Sequence, residues 1–200
     1  MQLIYSPASP FVRKVCVLME EAGIADQISK LPVATTALAT APEALAANPT
    51  GKIPALIRTD GPAIYDSRVI CRYLDDRAES GLYPDTRLWE VLTLEATADA
   101  IMESGIAMVY EARLRPPEKQ FDGWIEAQWG KIARAVSVIN ERWMSHLNGP
   151  LDMSHIAVAC ALGYLDFRMD DRAWRKGNDA LDDWYAAFSQ RPSMQATEPE

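Results

Sequence analysis

Cysteine is scarce in this 200-residue chain, and Cys16, Cys71 and Cys160 stand far apart with no CxxC pair and no metal-ligand spacing. A disulfide scaffold or a zinc site is therefore not expected, and a reducing, cytoplasmic setting is the simplest one. Basic residues are also short, 20 against 28 acidic ones, for a net charge of −8. Affinity for nucleic acid rests on clustered Lys and Arg, so no nucleic-acid partner is expected. No stretch approaches the ~20 apolar residues of a membrane helix, so no membrane partner is expected either. Ser6, Pro7 and Pro10 interrupt the apolar start before a signal-peptide core could form. What is present is ordinary globular composition, 48 % apolar and 24 % charged, enough core for one large or two small domains.

The chain changes texture near residue 80. Before it, β-like runs alternate with helical ones. Residues 2–5 read as a strand. Residues 10–23 read as a helix in which Val12, Val15, Cys16, Met19 and Ala22 make one apolar stripe, with Gly23 where a C-cap belongs. Residues 28–34 read as an edge strand, because Pro32 cannot donate to a ladder. A short helix is expected around 43–47, and a hairpin of 53–59 with 63–65 around Asp60-Gly61. Residues 67–79 read as a third helix. Beyond a polar linker at 77–85 no strand is expected. Apolar residues at 3–4 spacing from Val91 to Ala112 predict one long helix over 86–114, ended by Pro116-Pro117. A second carries Ile125, Trp129, Ile132, Val136, Ile139 and Trp143, and two or three more follow. The fold class is thus α/β plus all-α, with domains at 1–76 and 86–200.

Three places in the α/β part could carry chemistry. Ser9-Pro10 begins the first helix, where serine caps and proline fits the first turn. The same hydroxyl, beside free N–H groups and the positive end of the helix dipole, could instead stabilise a thiolate. In Asn48-Pro49-Thr50-Gly51-Lys52-Ile53-Pro54, a cis bond before Pro54 would leave the Ile53 main chain open to an extended peptide, with Lys52 as a cation beside it. The alternative there is a turn plus an edge strand. Asp66-Ser67 opens the third helix; Ser67 is a cap candidate, the helix end could bind a carboxylate, and Asp66 could take an ammonium.

The order of elements, with Ser9-Pro10-Phe11 followed by Arg13 and Lys14, the 48–54 segment, and Tyr65-Asp66-Ser67-Arg68-Val69-Ile70, resembles cytosolic glutathione transferases of the bacterial, serine type. Leu151-Asp152-Met153-Ser154-His155-Ile156-Ala157 resembles the capped core helix of that family. The resemblance implies a thioredoxin-like domain followed by a helical bundle, glutathione as cosubstrate and a homodimer. It implies that Ser9 holds the glutathione thiolate, Ile53 pairs with the cysteinyl backbone beside cis-Pro54, Asp66 and Ser67 hold the γ-glutamyl end, and Lys52 holds the glycine carboxylate. Phe11 joins this set with its motif. A thiol of pKa ~8.5 is a few per cent ionised at neutral pH. Lowering it by ~2 units takes ~2.7 kcal/mol. A helix end (~0.3–1 kcal/mol) and one charged hydrogen bond (~1.5–3 kcal/mol) can supply that.

The implied reaction is conjugation of glutathione to small hydrophobic electrophiles. Isomerisation, dehalogenation or a non-catalytic regulatory role are the alternatives. Serine in place of a cysteine at the helix start disfavours mixed-disulfide chemistry, and Ser6 is the rival for the hydroxyl role. A second-substrate pocket is expected from Met102, Ile106, Tyr110, Arg113 and Trp174. The family's helix motif usually has aspartate where His155 stands, and Ser or Thr where Asp152 stands. Asp152 can still cap, so His155 reads as structural, and His146, near a helix end, as surface or dipole-compensating. No metal is expected.

Overall fold

The computed structural model describes residues 1–200, which form two compact units, Met1–Pro84 with Pro192–Glu200, and Asp85–Arg191. In the first, strands β1 (Gln2–Tyr5), β2 (Ser29–Pro32) and β3 (Ala55–Ile57) build a sheet in the order β2-β1-β3. β1 runs parallel to β2, with Tyr5 opposite Pro32, and antiparallel to β3, with Ile4 opposite Ala55. Pro32 is tolerated because β2 is an edge strand. Helices α1 (Pro10–Glu21), α2 (Pro42–Ala47) and α3 (Ser67–Ala78) follow the strands in turn.

Both faces of the sheet are covered. Ile4 and Ala55 pack with Ala41, Ala44 and Ala47 from and beside α2. Leu3 and Leu56, which strand alternation turns to the other face, are fully buried, and α3 packs against both β3 and α1. α1 is capped by Ser9 and closes in a Schellman motif. Gly23 takes φ +66, Ile24 N–H donates to the Met19 carbonyl (2.9 Å), and Gly23 N–H donates to that of Glu20 (3.1 Å).

Two expectations change here. The hairpin partner at 63–65 shrinks to one bridge, in which Leu56 and Ile64 exchange hydrogen bonds of 2.9 and 3.0 Å. Pro62 offers no donor, and the cap of α3 follows at Asp66, so the ladder has no room to lengthen. The single apolar stripe expected on α1 becomes an unbroken buried run, Arg13 and Lys14 included. The reason lies at the other end of the chain, where the tail helix (Pro192–Gln195) packs on α1 and the Met194 carbonyl accepts from Arg13 Nη2 at 3.1 Å. The span expected for the helical domain, 86–200, therefore ends early, at Arg191.

The segment expected as a polar linker is tied to α3. The buried Asp75 carboxylate accepts from Ser80 Oγ (2.6 Å) and Leu82 N–H (2.7 Å), and Leu82 and Tyr83 are buried.

The second unit is all helix: α4 (Leu88–Leu114), α5 (Asp122–Arg142), α6 (Met144–Leu147), α7 (Met153–Met169) and α8 (Asp179–Phe188). The tail helix of the first unit is α9. α4 packs against α5 and α7. α7 is apolar on every side and buried from Met153 to Leu165, as a central helix must be. No helix of the chain is long and apolar enough to cross a membrane.

Candidate functional site

The strand register gathers the candidate residues. β1 leads out through Tyr5 toward Ser9, and β3 begins at Ala55 beside Ile4, so the Ile53-Pro54 segment and the start of α1 share one end of the sheet. The bridge from Leu56 to Ile64 is antiparallel, so the chain beyond Ile64 returns to that same end, where Asp66 and Ser67 open α3. Ser9, Lys52, Ile53, Pro54, Asp66 and Ser67 are thus brought to one edge by topology alone.

Ser9 is half-buried, and its Oγ accepts from Val12 N–H at 3.4 Å. A hydroxyl has one proton and two lone pairs, so capping leaves the Ser9 proton available to an acceptor. Capping and thiolate binding are therefore compatible. Phe11 is half-buried on the first turn. Ser6, whose carbonyl accepts from Ser9 N–H at 3.1 Å, lines a small cavity with Tyr5, Pro7, Arg13, Cys16, Lys30 and Thr197. Burial pushes the Cys16 thiol there up to about 11, against the lowering charge of Lys30, so it is protonated and inert.

The Ile53–Pro54 bond is cis, as is Tyr65–Asp66. Ile53 is half-buried and its main chain makes no hydrogen bond within the chain. The loop before it is set by Asn48, a residue the sequence reading left unassigned. Its Nδ2 donates to the Lys52 carbonyl (2.9 Å), while its Oδ1 accepts from Thr50 N–H (3.0 Å) and Thr50 Oγ1 (2.9 Å). Lys52 is exposed and its ammonium is unpaired.

At α3 the cap is Asp66, not Ser67. Asp66 Oδ1 accepts from Arg68 N–H (3.0 Å), and Ser67 is the first helical residue, buried, with no intrahelical acceptor for its N–H. A carboxylate outcompetes the neighbouring hydroxyl because it also meets Arg68 Nη2 at 3.0 Å. Burial raises the Asp66 pKa, but the hydrogen bond and charge of Arg68, with N–H groups of Arg68 and Val69, hold it below the usual carboxylate range. It is an anion, exposed, and available to an ammonium.

In the second unit the expected pocket residues divide. Ile106 is half-buried, and Tyr110 and Arg113 are exposed on α4, whereas Met102 is fully buried. Trp174 is buried too, its indole N–H donating to Asp166 at 2.8 Å and its ring meeting Tyr185 edge-on.

Asp152 caps α7 in a capping box with His155. His146, expected at the surface, is instead half-buried with Nε2 3.0 Å from both Ser154 Oγ and Asp152 Oδ2. One donor atom each from His146, Asp152 and His155 lie within 4.8 Å of one another, a possible cation site by distance. Arg87 Nη2 stands 3.3 Å from Asp152 Oδ2 and Asp152 N–H points at His155 Nδ1 (3.3 Å). A guanidinium and a backbone donor aimed at the ligand atoms fit a cap and not a dication.

Comparison with known proteins gives matches along most of the chain. Family models described as Glutathione S-transferase, N-terminal domain and Glutathione S-transferase, C-terminal domain match residues 8–77 and 122–187. A glutathione transferase family member from Pseudomonas fluorescens Pf-5, solved with bound glutathione, is 42 % identical with a TM-score of 0.97 over 100 % of this chain and 98 % of that one. A structure of a Pf-5 family member with bound S-(propanoic acid)-glutathione gives 42 % identity and a TM-score of 0.92 over 100 % of both chains. The uncharacterized GST-like protein YibF of Escherichia coli K12 is 32 % identical over 100 % of this chain and 98 % of its own length.

Proposed function

This chain belongs to the glutathione S-transferase family, and from that premise we propose that its first unit binds glutathione and that the bound thiolate attacks a small electrophile. The observation that carries this reading is the convergence at one sheet end of a spare hydroxyl proton, an unpaired main chain and an open helix terminus. Each matches one part of the tripeptide. The Ile53 N–H and C=O pair with the cysteinyl backbone as an added strand would. Ser67 N–H, at the positive end of α3, takes the γ-glutamyl carboxylate, and the Asp66 carboxylate takes its ammonium. Lys52 takes the glycine carboxylate, a local cation on an acidic chain. Phe11 packs on the first turn of α1 beside the sulfur.

Ser9 then donates its proton in a hydrogen bond to sulfur while its lone pair keeps the cap on Val12. Stabilising the thiolate over the thiol raises the ionised fraction at neutral pH. The thiolate lone pair forms the new C–S bond, and a leaving group departs with the electron pair of the bond it breaks. The bound S-(propanoic acid)-glutathione of the Pf-5 structure, a glutathione whose sulfur bears a carbon substituent, supports conjugation as the reaction type. A cytoplasmic homodimer is part of the same reading.

Retention on immobilised glutathione and conjugation of a chloronitrobenzene test it. Ser9→Ala removes one charged hydrogen bond of ~1.5–3 kcal/mol, an expected loss of roughly 10- to 100-fold in kcat/KM with a raised thiol pKa in the complex. Ser9→Thr keeps both cap and proton and stays active, and Ser6→Ala is neutral. Full activity in Ser9→Ala would remove Ser9 from the mechanism; absence of glutathione binding would remove the mechanism itself.

A further inference from the structure

The segment Asn48-Pro49-Thr50-Gly51 has the composition of a tight turn, with asparagine first, proline second and glycine fourth. It folds as one. Gly51 N–H donates to the Asn48 carbonyl at 2.8 Å, and Asn48 Oδ1 accepts from Thr50 N–H at 3.0 Å, the bond of an Asx-turn. For the turn alone aspartate or serine would serve, since only the acceptor is used.

The Asn48 side chain does one thing more. Asn48 is buried at the end of α2, its N–H on the Ala44 carbonyl at 2.8 Å, and its Nδ2 donates beyond the turn to the Lys52 carbonyl at 2.9 Å. Thr50 N–H can only donate, so Oδ1 faces Thr50 and Nδ2 faces Lys52, and the amide has one orientation. Asparagine carries acceptor and donor on separate atoms, which aspartate and serine do not.

What the Lys52 bond fixes is the next peptide. The Lys52 carbonyl and the Ile53 N–H belong to one planar unit. The cis bonds of the chain lie after Ile53 and Tyr65, so this unit is trans, and its C=O and N–H point in opposite directions. Holding the carbonyl against Asn48 therefore turns the Ile53 N–H away from the turn. That N–H has no acceptor within the chain, while the Ile53 side chain packs against the cluster of Ile4, Ala44 and Ala55. A free donor is thus held on a residue anchored at both its side chain and its preceding peptide.

We propose that Asn48 is a positioning residue for the tripeptide: through the Lys52–Ile53 peptide it aims the Ile53 N–H at the cysteinyl carbonyl of glutathione. This role rests on the glutathione reading above. A donor fixed before the ligand arrives costs no ordering on binding, so the Asn48 bond contributes to affinity without touching the ligand.

Titration of the isotope-labelled intact protein with glutathione, followed amide by amide in heteronuclear NMR spectra, tests this, because an amide proton that gains a hydrogen bond moves downfield. In the wild type the Ile53 and Ser67 amides should both move, since each takes a different part of the ligand. Asn48→Asp keeps the acceptor for Thr50 and removes the Nδ2 donor, and Asn48→Ser does so without a charge. In both, the Ile53 shift at saturation should shrink while that of Ser67 persists. The calorimetric Kd should rise roughly three- to tenfold, the equivalent of one hydrogen bond. Thr50→Val removes the bond from Thr50 Oγ1 to Asn48 Oδ1 (2.9 Å) and spares the Lys52 bond. It should lower the urea midpoint and leave the Ile53 shift and the Kd as in the wild type.

A full Ile53 shift in the Asn48 variants overturns the positioning role. Loss of the Ser67 shift together with that of Ile53, or of the fold in both variants, makes Asn48 a structural residue and overturns it too. Glutathione binding to the wild type without an Ile53 shift overturns this role and leaves binding standing. Absence of binding to the wild type overturns the glutathione reading and this role with it.

Discussion

Asp152 shows how much one residue can carry. Its carboxylate is completely buried, accepts from Ser154 N–H (3.0 Å) and Ser154 Oγ (2.6 Å), and lies 2.9 Å from His155 Nδ1. A protonated Nδ1 donates to the carboxylate, and a bare Nδ1 accepts from Asp152 N–H instead. Burial raises the Asp152 pKa, but hydrogen bonds from His155 and Ser154 and the charges of His155 and His146 bring it below its ordinary value. A carboxyl with a depressed folded pKa stabilises fully above its unfolded pKa of ~3.9, and that stability is lost as pH falls toward the folded value. Asp152→Ala should cost at least about 2 kcal/mol at neutral pH, from the lost cap and the cations left facing it. The wild type should lose stability below about pH 4 more steeply than Asp152→Asn, as read from urea midpoints across pH. The sequence made the cap visible, because aspartate before an apolar helix is a local signal. It did not show His146, which reaches Asp152 only through the turn between α6 and α7.

At the scale of elements, the loop joining α2 to β3 depends on Gly51. It has φ +66, and a Cβ there would come within 2.5 Å of Thr40 Cγ2 and 3.2 Å of Leu45 Cδ2. Gly23 has the same φ but nothing within 4 Å of its Cβ position. Gly23→Ala should therefore cost only the left-handed penalty, about 1 kcal/mol, while Gly51→Ala should cost more. Gly51→Ala should also weaken glutathione binding, because moving the loop moves Lys52 and Ile53. Urea midpoints and glutathione titration of the two variants separate the effects. The sequence located this segment from its prolines and glycine. It left open that Asn48 brackets the turn, since that role depends on where the Lys52 carbonyl points. At α3 the sequence pointed to Ser67 as the cap, whereas the structure makes Asp66 the cap, its carboxylate held by Arg68.

For the whole molecule, the chain leaves its first unit at Pro84 and returns to it at Pro192. On return, Met194 is almost fully buried, its carbonyl takes Arg13 Nη2 at 3.1 Å, and Ser193 Oγ bonds Glu21 Oε1. Arg13 Nε is buried with no partner of its own, so the Met194 carbonyl matters to a largely desolvated guanidinium. Deleting residues 192–200 should destabilise the first unit by at least about 3 kcal/mol, from one buried methionine and one orphaned charged donor. Thermal melting followed by circular dichroism would measure it; an unchanged transition would mean that the tail contributes nothing to that unit.

Periodicity, caps, and proline and glycine positions act over a few residues, and these local signals sufficed for the order of elements, the edge position of β2, the extent of α4 to within two residues, and the motifs around Ser9, Lys52 and Asp66. Decisions between distant residues were made only by tertiary structure. The strand register brought three motifs to one sheet end, and the returning tail packs on α1, which is buried without a break from Val12 to Met19. Burial and charge pairing depend on what lies across the gap, and the spacing of residues along one segment carries no record of that.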